Sequence, residues 1–193
     1  MKRFSEWLQT EESTDDIESL IEATENVDTI GYHVSKNIFD KFDDNHLGNN
    51  TLKTPSSIYS IDSLFGHQFV EDPNVLYNYS NLSLLGSYMY KANLRLGKTA
   101  TINIFKLKNA NPATDPQSIT RIKQFKQLLL QQGFGGVRFV GGATGKLMNN
   151  TLCALNSNVI RIRSVKNLKT GTELKAKDGP FKDQIANRQL SIV

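Results

Sequence analysis

An α+β fold is what this chain predicts, and three observations carry it. Residues 99–108 alternate cleanly: Ala100, Ile102, Ile104 and in register Lys106 point one way, Thr101, Asn103, Phe105 and Leu107 the other. Both sides are partly apolar, as in a central strand. Residues 117–132 repeat at a helical period through Ile119, Ile122, Phe125 or Lys126, Leu129 and Leu130, and Gly133 stops the run. Short strand patterns then follow one another over 137–140, 151–155 and 159–165 with no helix between them. Strands that come in a run after one helix fit α+β rather than a regular βαβ repeat.

The elements read as follows along the chain. Phe4, Trp7 and Leu8 share one helical side, and Ile17, Leu20 and Ile21 form a second short amphipathic turn. Residues 1–27 therefore read as an N-terminal helical or leader segment. The first strand is expected at 29–34, with Phe39 and Phe42 docking the turn after it. Residues 43–55 are a loop, rich in Asp, Asn, Gly48 and Pro55. Ser57 to Ser60 is a short strand candidate, and 65–90 a mixed region, helical in part, with Tyr77, Tyr79, Tyr88 and Tyr90 as amphipathic core-edge residues. A loop with two prolines over 109–116 leads into the helix. Residues 28–165 thus make the domain, and 166–193 a basic C-terminal extension.

Length and composition narrow the class. A chain of 193 residues fits one domain with extensions and can bury a proper core. No run approaches ~18 apolar residues, so no membrane helix is expected. The first residues are not those of a secretory signal, since no apolar stretch follows Lys2-Arg3. With Cys153 alone there is no intrachain disulfide and no cysteine-rich zinc site, and that residue is expected to pack as a small hydrophobe. Charge is uneven. Residues 1–28 hold nine acids against Lys2 and Arg3, whereas 121–188 hold thirteen Lys and Arg against Glu173, Asp178 and Asp183. The basic half either pairs with the acidic head, meets a polyanion, or is a solvated surface.

Two nucleotide motifs fail on inspection. In the glycine-rich run 133–146 a phosphate loop needs Gly where Val140 stands, and Ser or Thr where Leu147 follows Lys146. The dinucleotide fingerprint starting at Gly133 fails at Arg138. No metal site is expected either, because His33, His46 and His67 are scattered without carboxylates at ligand spacing.

Five short pieces in order carry a resemblance. They are Tyr32-His33-Val34-Ser35; Ile58-Tyr59-Ser60; Phe105 to Asn109 with Asn111-Pro112; Gly133 to Val137; and Thr151 to Arg161. Together they resemble the ADP-ribosyltransferase-like domains of phage and prophage genomes. That resemblance implies split mixed β-sheets with flanking helices and a central cleft for NAD, which is the substrate. It implies that His33 hydrogen-bonds a ribose and that Tyr59, or else Tyr88 or Tyr90, stacks on nicotinamide. Ser35, Ser60 and the backbone of Tyr32, His33 and Val34 would line the cofactor site. The family's catalytic Glu aligns with Thr151, or with Asn150 after a one-residue slip. His33, Tyr59 and Thr151 are then the catalytic candidates, with Glu71 or Asp72 as replacement carboxylates. A preorganised charge lost at such a site costs on the order of 10²–10³ in rate.

The implied activity is mono-ADP-ribosyl transfer from NAD to a host protein or nucleic acid, inside the host cell. The alternative is a non-catalytic virion or interaction protein that keeps the fold, its partners being virion proteins. The leader supports a virion, since it is similar to capsid-targeting leaders and Leu20-Ile21-Glu22 resembles a prohead protease site. No membrane or metal partner is expected. A third possibility is polyanion binding by the basic half. A carboxylate aimed at His33 favours the enzyme, and a cleft filled by Tyr or Phe favours the alternative.

Overall fold

The computed structural model describes residues 19–47, 64–77, 88–103, 116–141 and 151–190. Strands β1 (Ile21–Ser35), β2 (His67–Phe69), β3 (Tyr88–Asn103), β4 (Gly136–Val140), β5 (Thr151–Ala154), β6 (Ile160–Asn167) and β7 (Glu173–Lys175) form one mixed sheet. Helices α1 (Pro73–Tyr77), α2 (Pro116–Gln131) and α3 (Phe181–Leu190) flank it. The α+β class holds.

Sixteen-residue β3 organises everything. One edge pairs antiparallel with β1 along its whole length. The other edge forks: Tyr88–Leu94 pairs with β6, which carries β7, and Thr99–Asn103 pairs in parallel with β4, which leads to β5 and β2. A bulge separates the arms, since Asp28 opposes Arg95 while Val27 opposes Gly97. Gly97 has φ 58°, the left-handed region that glycine enters without penalty. The extra residue switches the buried side of β3. Tyr90, Ala92, Leu94 and Leu96 join one core, while Ala100 and Ile102 join another.

The second core lies under α2. Ile122, Phe125 and Leu129 are buried against Val137, Phe139 and Cys153, so the helix turns Phe125 inward rather than Lys126. Gly133, at φ 80°, ends α2, and the Lys98 ammonium donates to the Gln132 carbonyl, a cation at the negative end of the helix dipole. The fork arm of β4, β5 and β2 curls back on β1: Tyr32 and Val70 exchange both backbone hydrogen bonds, at 2.8 and 3.0 Å. β1, β3, β4, β5 and β2 thereby form a closed ring. Gly31 allows it, because a Cβ there would lie 2.9 Å from that of Phe69.

Several expectations change. β1 begins at Ile21, not at residue 29, so 21–27 are strand rather than part of a helical leader. Residues 22–26 are all exposed, so no buried alternation marks this half of the strand. Tyr88 and Tyr90 open β3 instead of closing a mixed region. Residues 166–185 pack on the domain: Leu174 and Phe181 are buried in the core of Tyr90, and the Phe181 amide donates to the Asp40 carboxylate. The strand candidate at Ser57–Ser60 lies outside the described residues, as do residues 1–18 of the leader. No described helix is long and apolar enough to cross a membrane.

Candidate functional site

The site forms where β1 ends, β2 begins and the connection 36–47 folds across them. On β1, His33 opposes Tyr90 of β3, so both side chains share one side of the sheet. The 36–47 connection covers that side with Phe39 and Phe42. Phe39 stacks on Tyr90 at 4.2 Å and 10°. Phe42 meets His33 edge-on at 5.2 Å and His67 at 5.1 Å. Phe69 and Tyr90 flank the His33 ring at 5.7 and 6.2 Å, and the residue keeps some exposure to solvent.

Several polar groups here are bonded locally. The His33 Nδ1–H donates to the Gln68 carbonyl at 2.9 Å, which fixes the tautomer and leaves Nε2 as the acceptor. Burial among aromatic rings lowers its pKa to about 4, so the ring is neutral at pH 7. The Tyr90 hydroxyl donates to the Asn37 carbonyl at 3.0 Å and accepts from the Phe39 amide at 2.8 Å, and burial pushes its pKa up. His67 Nε2 bonds Asp44 Oδ1 at 2.9 Å, and the Ser157 hydroxyl donates to Asp44 Oδ2 at 3.2 Å. Burial lowers the His67 pKa, partly offset by Asp44. Ser, Asp and His occur together, but the carboxylate sits in the middle. The serine proton therefore faces a carboxylate rather than an imidazole, which is not the order of a Ser-His-Asp triad. Beside this group lies an open cleft of about 430 Å³, lined by Lys41, Phe42, Asp43, Asp44, Asn45, Ser157, Asn158 and Ile160.

Comparison with protein-family models, curated proteins and solved structures finds no match to this chain.

The anticipated residues separate. Tyr32 and Val34 alternate with His33 and lie on the other side of the sheet, against Met89 and α1. Both backbone groups of Tyr32 are committed to Val70, whereas those of Val34, two residues on, leave the same edge beyond that pair. The Ser35 hydroxyl accepts from the Asn37 amide at 3.1 Å. Thr151 is buried opposite Phe139, on the side that carries α2, away from His33. Glu71 is bound to Arg138 at 2.7 Å, with Glu25 on the same guanidinium at 2.6 Å. Asp72 accepts from the Asn74 amide at the start of α1. Tyr59, Ser60 and Asn150 lie outside the described residues. Among the described residues, no three His, Cys, Asp or Glu side chains gather as metal ligands.

His67, Asp44 and Ser157 were not singled out by sequence reasoning, and no local motif marks them, since they come together from three separate segments. Phe42 was anticipated as a docking residue, and its wedge between two histidines is the added finding. Tyr90→Phe is expected to cost about 0.5–1.5 kcal/mol in chemical denaturation, because the Phe39 amide and Asn37 carbonyl lose their partner at a part-buried place. A loss below about 0.5 kcal/mol would mean that water replaces the hydroxyl.

Proposed function

We propose that this chain is a non-catalytic interaction protein on an ADP-ribosyltransferase-like scaffold, a recognition or assembly part rather than a transferase. The observation that carries the reading is the aromatic packing around His33. Its ring is packed by Phe42, Phe69 and Tyr90 and its Nδ1–H is spent on a main-chain carbonyl. A histidine that must hold a ribose needs open space on that side, and here aromatic rings take up much of it, leaving the residue half-buried. The nearest anticipated carboxylates, Glu71 and Asp72, are engaged with Arg138 and the first turn of α1. Thr151 has no carboxylate to stabilise a cationic sugar and lies across the sheet. The leader's similarity to capsid-targeting segments makes virion proteins the partners this reading expects.

One observation favours a second reading, NAD binding without transfer. The outward-facing N–H and C=O of Val34, beside His33, are a donor and acceptor pair that a carboxamide could meet.

Calorimetry with NAD on wild type and His33→Ala separates the two, with nicotinamide release followed in the same samples. No saturable binding at millimolar NAD, and no nicotinamide, is the expected result. Saturable binding lost in the variant would move the assignment to NAD recognition. Nicotinamide release in wild type alone would overturn the non-catalytic reading.

A further inference from the structure

The opposite side of the sheet arm built by β1, β3, β6 and β7 carries a set of cations that form no ion pair among the described residues. Alternation from the pairings puts Lys91 and Arg95 of β3, Arg161 and Lys166 of β6 and Lys175 of β7 on that side. Asn93 and Tyr32 lie among them, with the Lys91 ammonium 6.0 Å from the Tyr32 ring centroid. The acids on this side are Asp28, opposite Arg95, and Glu173, which accepts from the Ser164 hydroxyl. Among the described residues, five cations thus face two carboxylates.

Pairing distinguishes these cations from a structural charge. Arg138 is held by two glutamates and is spent on closing the ring. Arg95, Arg161, Lys166 and Lys175 form no ion pair among the described residues. Arg95, Arg161 and Lys175 are exposed, and Lys91 and Lys166 half-buried. Four neighbouring strands give a platform about 14 Å across, and Lys91 to Arg95 adds about 13 Å along β3. Helix α1 covers only the Met89 end.

We propose that this sheet face binds nucleic acid through its phosphate backbone. A rigid array of cations at strand spacing meets successive phosphates and releases their counterions. Asn93 and the rim of Tyr32 add a hydrogen-bonding and a stacking group beside them. The surface is on the other side of the sheet from His33 and does not depend on what the histidine does, so the NAD experiment neither supports nor removes it.

The test is fluorescence anisotropy with a labelled 30-nucleotide single strand and the corresponding duplex, from 50 to 300 mM salt. Wild type is compared with the triple variant Arg95→Gln, Arg161→Gln, Lys175→Gln. A control triple variant, Lys36→Gln, Lys41→Gln, Lys182→Gln, removes the same charge from exposed positions off this face. Binding is expected to weaken at least about tenfold in the first variant and its salt slope to drop by about 2–3 units, since each phosphate contact contributes about 0.7–0.9. The control is expected to stay within about threefold, as for a long-range charge effect alone. The single strand binding more tightly than the duplex, or the reverse, tells which form fits the platform, and either supports the proposal. Equal losses in both variants, or no binding at 50 mM salt, would overturn it.

Discussion

Phe69→Ala is expected to remove about 3–5 kcal/mol of folding stability, read as a fall in the denaturant midpoint at unchanged m-value. Phe69 is 1% exposed and is one of the two buried residues of three-residue β2. Its ring supports His33 and Phe42, at 5.7 and 5.2 Å. Its Cβ fills the space that Gly31 leaves open. The adjacent Val70 makes the backbone pair that closes the ring of strands, so a cavity at Phe69 also loosens that seam. Phe69→Leu keeps most of the volume and is expected to cost under about 1.5 kcal/mol. If alanine costs less than about 1 kcal/mol, the aromatic cluster is not a packed core and the argument for a filled cleft falls with it.

Acid is expected to destabilise the fold through His33 in a definite window. In the unfolded chain the imidazole titrates near its ordinary value of about 6.5, and in the fold at about 4. Between those values the unfolded state binds a proton that the folded state refuses. Stability is therefore full above about pH 6.5 and declines toward pH 4, where the decline from this group stops. The separation corresponds to a loss of order 3 kcal/mol. His67 is also lowered, with burial the larger cause, and contributes in the same direction. Comparison of urea midpoints from pH 7 to pH 4 for wild type and His33→Leu isolates the first group. The variant loses the bond to the Gln68 carbonyl at every pH but is expected to show the shallower decline. Parallel curves would mean that the fold lets His33 charge freely, and the site would then be open to water.

How much was legible follows from where the physics is local. Helix α2 was readable because its apolar period and Gly133 stop lie in adjacent residues, and the structure differs from the reading by one residue at each end. β4, β5 and β6 were readable as short apolar runs between turn formers. β3 was read only from residue 99, because the bulge at Gly97 switches the buried side and breaks a two-residue alternation into halves that no longer match. The early half of β1 was lost to its acidic side chains, which resemble leader chemistry more than strand chemistry. At the site, His33 stood out through its neighbours in sequence. What surrounds it did not, because Phe42, Phe69 and Tyr90 arrive from separate segments and only the fork and ring bring them together. The basic character of the C-terminal half was visible as a count, whereas the cations that share a surface depended on strand register and included Lys91 and Arg95 from outside that half.

The pairing of β1 with β3 also bears on how the chain is made. The first strand leaves the ribosome well before its partner exists. About 70 residues must still be added before β3 is complete, a wait of roughly 3–14 s at about 5–20 residues per second. During that interval a fifteen-residue strand offers an unpaired edge to any other nascent chain. Glu22, Glu25 and Asp28 are spaced along it and give like-charged copies a reason to stay apart. The acids that disguise the strand in the sequence thus suit an edge that waits for its partner, and in the fold Glu25 pairs with Arg138.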